Sequence, residues 1–174
     1  MIFDGYVACI CEGAAEQAIM DLLLENNKLC FSSENLLTRN MIKCRSAKTF
    51  EKTYLQKSFN DTITVLRILD SRRERFTLSA LYKDKVSVIN IITAPEIEML
   101  IIINENKYFQ YKKSKMKPSE FCKSELKLKG VKSYSFVYSY FSDINKLIHC
   151  IHEYKRISQI NNNEYTLYDL LTIP

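Results

Sequence analysis

The chain has 174 residues, of which 47% are hydrophobic and 26% are charged, and its formal net charge is +5. This length fits a single domain with a self-supporting core, and the composition excludes an intrinsically disordered chain. No apolar stretch reaches the roughly 20 residues that a membrane-spanning helix needs, and the amino terminus lacks the basic region of a signal peptide. We therefore expect a cytoplasmic protein without a membrane partner.

The positive charge is concentrated in one segment. Residues 107–132 contain nine lysines and two glutamates, a net charge of +7, whereas the rest of the chain is close to neutral. Lysines neutralise phosphates and aromatic rings stack on unpaired bases, so this segment is a candidate nucleic-acid contact; a solvated lysine-rich surface is the alternative. The candidate contact residues are the lysines Lys112, Lys113, Lys115 and Lys117 and the interleaved aromatics Tyr108, Phe109, Tyr111 and Phe121.

The counts of glycine, cysteine and histidine exclude several other chemistries. Only three glycines occur, too few for a Gly-rich phosphate loop, and the six cysteines form no Cys-x-x-Cys pair. The cysteines are therefore expected to be reduced and mostly buried. His149 and His152 are spaced for a shared metal, but a helix-surface or packing role is favoured because no further ligand pair accompanies them.

Three strands are predicted from runs of β-branched and apolar residues. The run over residues 2–11 is nearly continuous, as in a strand buried on both faces of a parallel sheet. The runs over 62–69 and 86–92 predict two more strands of this kind. Between the first two of these strands, short candidate strands lie near 29–31 and 41–44.

Helices are predicted between these strands and throughout the second half. Ala, Leu and Glu give the first helix strong propensity and an apolar face, and Pro95 suits the first turn of a later one. Residues 135–140 are a candidate strand, although helix fits this part of the chain better. The predicted helices span residues 14–26, 47–58, 77–84, 96–104, 118–127 and 141–158.

Strands that alternate with helices predict an α/β protein with a mostly parallel sheet flanked by helices. The pattern changes near residue 105. We expect residues 1–105 to form the α/β core and residues 106–174 to form a helical, lysine-rich extension packed on that core. No linker-like sequence separates the two parts, so a single domain is expected overall.

Acidic residues stand where the predicted strands end. Glu12 follows the first strand, Glu16 lies one helical turn later, and Asp70 follows the second strand. Carboxyl ends of parallel strands share one edge, and carboxylates gathered there suit Mg²⁺ or Mn²⁺. Structural roles are the alternative, since acidic residues also favour helix amino termini and turns.

These positions resemble the motifs of the Toprim fold, which occurs in topoisomerases, primases and OLD-type nucleases. Cys11-Glu12-Gly13-Ala14-Ala15-Glu16 is similar to its Glu-Gly-x-x-Glu opening. Leu69-Asp70-Ser71-Arg72 stands in the place of its Asp-x-Asp pair, and Pro95–Ile101 in the place of a Pro-x-x-Glu-x-x-Leu segment. The resemblance covers about residues 5–103 and is nearest to the small Toprim-like proteins of bacterial antiphage defence, of the RloB and abortive-infection type.

The resemblance implies a metal-dependent nuclease that cleaves DNA or RNA, with tRNA among the RNA candidates. It implies Mg²⁺ or Mn²⁺ as the cofactor, with Glu12 and Asp70 as catalytic residues. Glu12, Glu16 and Asp70 would be the ligands, and Glu98 would support the metal site. It also implies an ATPase as a partner protein, and it leaves the oligomeric state open.

One position departs from the family pattern. The second aspartate of the Asp-x-Asp pair is replaced by Arg72, which cannot ligate a cation. Arg72, Arg73 and Arg75 are instead candidates for phosphate contact, and Glu74 is close enough in sequence to substitute in part. Two further hypotheses stay open: a catalytically degenerate Toprim-like module that binds a partner protein or nucleic acid, and a toxin or regulator that binds through its lysines alone.

Overall fold

The fold was analysed in a computed structural model, which describes residues 1–57, 59 and 61–172. Its centre is an all-parallel sheet of three strands in the order β1-β2-β3. Nearly all residues of the first two strands are buried, so the sheet needs cover on both faces. The strands are β1 (Tyr6–Cys11), β2 (Ile63–Leu69) and β3 (Val86–Ile92).

Within the described part of the chain, seven α-helices surround the sheet. Short 3₁₀ turns occur at Ser33–Asn35 and Leu167–Leu170. None of the helices in this part is long and apolar enough to cross a membrane. The helices are α1 (Ala14–Glu25), α2 (Ala47–Tyr54), α3 (Met99–Asn104), α4 (Tyr108–Ser114), α5 (Pro118–Ser124), α6 (Tyr134–Tyr140) and α7 (Ile144–Ile157).

The two faces of the sheet belong to separate apolar clusters. Val7 and Cys9 of β1 join a large core that contains buried residues of α1, α3, α5, α6 and α7. The alternate residues Ala8 and Ile10 join a smaller core that is closed by Phe50 of α2. This separation follows from the two-residue period of a strand, which sends successive side chains to opposite faces.

The predicted α/β class and the parallel sheet are confirmed, with small differences at the strand ends. The first strand begins at Tyr6 rather than residue 2, because Ile2 is 88% exposed and the backbone turns at Gly5 with a φ of +100°. The candidate strands near 29–31 and 41–44 are single bridges, in which Leu29 pairs with Leu171 and Ile42 with Ile10.

The prediction of a helix over 77–84 is wrong. This segment forms consecutive turns, in which the Tyr82 and Lys83 amides both donate to the Ser79 carbonyl. The Ser79 amide donates to the Glu51 carboxylate at 2.6 Å, and the Tyr82 hydroxyl donates to the Leu55 carbonyl at 3.0 Å. These contacts with α2 and the residue after it fix the segment in a non-helical shape, which local propensity does not reveal.

The other predicted helices form, but several are shorter than expected. The helix predicted over 96–104 begins at Met99, because its first amides make i→i+3 bonds. The helix over 47–58 ends at Tyr54, and Ser58 lies outside the described residues. The helix predicted over 118–127 ends at Ser124, and that over 141–158 spans Ile144–Ile157. Residues 135–140 are helical, within α6.

Candidate carboxylate site at the sheet edge

Glu12 and Asp70 follow directly after β1 and β2. Cys11 pairs with Ile68 in the parallel register, and the Glu12 amide donates to the Ile68 carbonyl at 3.3 Å. Both residues therefore stand at the edge formed by the carboxyl ends of the strands, where ligands collect in open parallel sheets. Both side chains are half-buried.

Two further carboxyl groups complete what we call the carboxylate site: Glu12, Glu16, Asp70 and Glu98. Glu16 lies in the first turn of α1 and Glu98 directly before α3, and their exposed fractions are only 8% and 3%. Burial is the largest cause of the raised pKa values of Glu12, Glu16 and Glu98. The Asp70 charge also raises the pKa values of Glu12 and Glu16, and the Glu16 charge also raises the pKa of Glu98. The fold thus links all four residues electrostatically.

Glu12 has an oxygen without a partner. Its Oε2 atom is buried and accepts no hydrogen bond from the described residues. After burial, the main cause of its raised pKa is the Glu74 carboxylate, which acts through its charge and as an acceptor for a hydrogen bond from the protonated Glu12 carboxyl. A buried oxygen without a donor is costly, so this atom is the one in the site most in need of a proton or a cation.

Gly13 shapes the position of Glu16. A Cβ atom at Gly13 would lie 2.5 Å from the Glu16 Oε2 atom, closer than such atoms approach in proteins. The backbone amides of Glu16 and Gly13 and the charge of Lys132 act against the burial that raises the Glu16 pKa. The glycine of the Glu-Gly-x-x-Glu motif therefore makes room for the second glutamate of the motif.

Glu98 carries the largest shift of the four. Burial raises its pKa to about 7, although its own amide and the Lys132 charge lower it. A carboxyl group with this pKa is close to half protonated at neutral pH. It is therefore able to donate or accept a proton under physiological conditions.

A lysine from the basic segment reaches the carboxylate site. Lys132 donates to the Glu96 carboxylate at 2.9 Å, and the Ser119 amide at the start of α5 donates to its other oxygen at 2.8 Å. Burial opposes the Lys132 charge, but this bond and the charges of Glu98 and Asp70 raise its pKa overall. Glu96 thus holds two points of residues 107–132 beside the site.

Glu74 lies beside Glu12 and is held there by a buried arginine. Arg67 of β2 is 4% exposed, and its Nη2 atom donates to the Glu74 carboxylate at 2.8 Å. Its guanidinium also lies 4.9 Å from the centre of the Phe76 ring. Glu74 therefore adds a fifth carboxylate at the carboxyl edge of the sheet, next to Glu12.

Arg72 is engaged away from the carboxylate site. Its Nε atom donates to the Glu164 carboxylate at 2.6 Å, and its Nη2 atom donates to the Gln159 carbonyl at 3.1 Å. Arg73 is exposed, and its amide donates to the Ser71 hydroxyl. The residue that replaces the second aspartate therefore ties the loop after β2 to the chain after α7.

The donor set suits a hard divalent cation in its chemistry, since it consists of carboxylate oxygens and includes the unpartnered Oε2 atom of Glu12. Its arrangement is not that of a formed metal centre. No group of three or more His, Cys, Asp or Glu side chains among residues 1–57, 59 and 61–172 is positioned to hold a metal ion. Binding of a cation by three of these carboxylates would therefore require them to move closer together.

The lysines predicted to contact nucleic acid lie on and after α4, and all are exposed. The described part of the chain contains no ion pair that involves any of them. They are Lys112, Lys113, Lys115 and Lys117. Their charges are therefore available to an external polyanion.

His149 and His152 are both exposed on α7. The His152 ring packs edge-to-face on Tyr168, with the ring centres 4.9 Å apart. This contact agrees with a packing role for His152, and the exposure of His149 agrees with a place on the helix surface. The cysteines are free thiols, as predicted, and four of the six are buried.

No family model, curated protein or solved structure matches this chain. Sequence reasoning identified the four carboxylates from the strand ends and the resemblance, but it missed Glu96 and Arg67 as partners. Their contacts join residues that are distant in the chain, and no local pattern marks such pairs.

Proposed function

We propose that this chain is a Toprim-like, metal-dependent nuclease that cleaves phosphodiester bonds of DNA or RNA in a bacterial antiphage defence system. The observation that carries the proposal is the electrostatic linkage of Glu12, Glu16, Asp70 and Glu98 at the carboxyl edge of a parallel sheet. Gathering four acidic groups is unfavourable, and the pKa values of Glu16 and Glu98 stay raised although the Lys132 charge lowers them, so a bound cation would offset the remaining cost.

In this proposal Glu12, Glu16 and Asp70 hold Mg²⁺ or Mn²⁺, with Glu98 supporting them from α3. Such an ion activates water and neutralises charge on a phosphate. The buried, unpartnered Oε2 atom of Glu12 is available as a ligand without breaking a hydrogen bond. Glu74 lies beside it and is the acidic group best placed to compensate for the aspartate that Arg72 replaces.

The lysine segment has a place in the same proposal. Ser119 lies in the middle of residues 107–132 and Lys132 lies at their end. Both donate to the Glu96 carboxylate. This contact attaches a segment with a net charge of +7 to the carboxylate edge. A polyanion bound by the exposed lysines would therefore be held near the site, and the lysines would offset its repulsion by the carboxylates. By resemblance, we also propose an ATPase as a partner protein.

Cleavage of labelled DNA and tRNA in the presence of Mg²⁺ or Mn²⁺ tests the proposal. We expect the wild-type chain to cleave at least one of these substrates and Glu12→Gln to reduce the rate by about a hundredfold or more. Asp70→Asn and Asp61→Asn form a matched pair, since Asp61 is exposed near the opposite end of β2. Of this pair, only Asp70→Asn should lower the rate. A wild-type chain that is as inactive as Glu12→Gln would refute catalysis.

A second candidate is a catalytically degenerate Toprim-like module that binds a partner protein or nucleic acid. The observation that favours it is Lys132, a cation supplied by the chain itself at the carboxylate edge. If this lysine replaces the metal, Lys132→Ala should create or strengthen Mn²⁺ binding, and the wild-type chain should bind nucleic acid without cleaving it. Cleavage by the wild-type chain would exclude this candidate.

A further inference from the structure

One aromatic side chain in the lysine segment differs from the others in its exposure. Phe121 is 2% exposed in the large core, and Tyr108 and Tyr111 are half-buried against that core. Phe109 is 80% exposed. The two tyrosines therefore attach α4 to the protein, while the Phe109 ring projects from it into solvent.

Several lysines follow this ring closely in the chain, and the Lys112 Nζ atom lies 5.6 Å from the centre of the adjacent Tyr108 ring. Lys112 and Lys113 are three and four residues after Phe109, so they are its neighbours on the surface of α4. Lys115 and Lys117 follow in the next turn of chain and are exposed. None of these four is in an ion pair within the part of the chain that the structure describes. The ring thus stands in a patch of unneutralised positive charge.

We propose that α4 is a binding site for single-stranded nucleic acid, in which an unpaired base stacks on Phe109 and the adjoining phosphates contact the surrounding lysines. The inference rests on the proposed function and narrows its substrate class. Lysines alone bind duplexes and single strands through their phosphates, whereas an exposed ring gains stacking only from a base that is not paired. Phe109 therefore gives this surface a preference that its charge does not provide.

An anionic membrane is the other polyanion that such a surface can meet. Insertion into a bilayer interface needs a continuous apolar helix face. In α4, Phe109 stands beside Gln110, Lys112 and Lys113, all of them exposed and polar. A single ring among lysines fits one base better than an apolar membrane phase.

The test is fluorescence anisotropy with labelled single-stranded DNA, single-stranded RNA and a duplex of the same sequence. Without divalent metal, cleavage cannot contribute, so binding is measured separately from the proposed nuclease activity. We expect Phe109→Ala to weaken single-strand binding about tenfold and to leave duplex binding within about twofold. The two single strands show whether the stacked base comes from DNA, RNA or both.

Two controls make the result specific. Leu81 is 65% exposed outside the lysine segment, and Leu81→Ala should leave all affinities unchanged. The double variant Lys112→Ala/Lys113→Ala should weaken single strands and duplex alike, and it should flatten the salt dependence of single-strand binding.

Equal affinity of Phe109→Ala and wild type for single strands would overturn the inference, as would equal losses for single strand and duplex. Binding that requires phosphatidylserine vesicles rather than nucleic acid would overturn it as well. If Phe109→Ala loses single-strand binding while the wild-type chain cleaves nothing, the nuclease proposal fails and the binding site stands.

Discussion

The fold removes the Glu98 carboxyl group almost completely from water, and this burial raises its pKa. Its pKa in the folded chain is about 7, above the ordinary value of 4.5. The folded state therefore binds a proton more tightly than the unfolded state. Stability from this group is fully present below about pH 4.5 and is lost as the pH rises through about 7.

We predict that Glu98→Gln removes this pH dependence. In wild-type protein with EDTA, the Glu98 contribution should lower the free energy of unfolding by up to about 3 kcal/mol between pH 5 and 8. Glutamine stays neutral, so the free energy of unfolding of the variant should fall by less over this pH range. Urea unfolding at both pH values measures the difference, with the exposed Glu34→Gln as control. Equal pH dependence of Glu98→Gln and wild type would contradict the burial argument.

Gly13 allows a second prediction at the residue scale. Its φ of −125° suits any residue, so Gly13→Ala should change the free energy of unfolding by less than about 1 kcal/mol. The added Cβ would nevertheless displace the Glu16 carboxylate. We expect nearly unchanged thermal unfolding together with a loss of Mn²⁺ affinity. Wild-type Mn²⁺ affinity in this variant would show that metal binding does not depend on the position of Glu16.

The helices cover the sheet unequally. Among the residues that the structure describes, five helices contribute buried side chains to the large core, whereas α2 is the only α-helix that contributes one to the smaller core, the fully buried Phe50. The segment with Phe76, Leu78 and Tyr82 completes that cover. When a large side chain is removed from the smaller core, few helices are available to repack around the space that it leaves.

We therefore predict that Phe50→Ala lowers the free energy of unfolding by about 3–5 kcal/mol, through lost burial and a cavity. The same substitution at Phe109, which is 80% exposed, should change it by less than about 0.5 kcal/mol. Chemical unfolding of the two variants gives the comparison. A small effect at Phe50 would mean that α2 is not an essential cover of the sheet.

The contacts of Glu96 join two elements that sequence cannot connect. Ser119 and Lys132 both donate to its carboxylate. We predict that Glu96→Ala speeds hydrogen exchange of the Ser119 amide by about tenfold or more, because this amide loses its acceptor. The Phe50 amide of α2, which donates to the carbonyl of the capping residue Ser46, provides a reference. Unchanged exchange at Ser119 would show that Glu96 does not anchor the lysine segment.

The same elements show how far sequence reasoning reaches. The β2 and β3 strands and α1 were predicted almost to the residue, because apolar runs and strong helix formers are local signals. The segment over 77–84 was not, because its shape depends on bonds from Ser79 and Tyr82 to residues near position 50. The same holds for Lys132, whose acceptor is 36 residues away. Such pairs are set by tertiary packing.

At the scale of the whole molecule, charge is divided between two regions. Residues 107–132 carry a net charge of +7, and acidic groups gather at the carboxyl edge of the sheet. Glu96 connects the two regions through Ser119 and Lys132. A divalent cation at the edge and a polyanion on the lysines would complement this division, and each would favour the binding of the other.

The central claim is that the carboxylate site binds a divalent cation, and titration of Mn²⁺ followed by electron paramagnetic resonance tests it most directly. Bound Mn²⁺ loses its sharp aqueous signal, so free and bound ions are counted separately. We predict saturable binding to wild type, loss of that binding in Glu12→Gln and Asp70→Asn, and its retention in Asp61→Asn at the opposite end of β2. Absence of saturable binding to wild type would contradict the account, as would Mn²⁺ binding by Glu12→Gln and Asp70→Asn that equals wild-type binding.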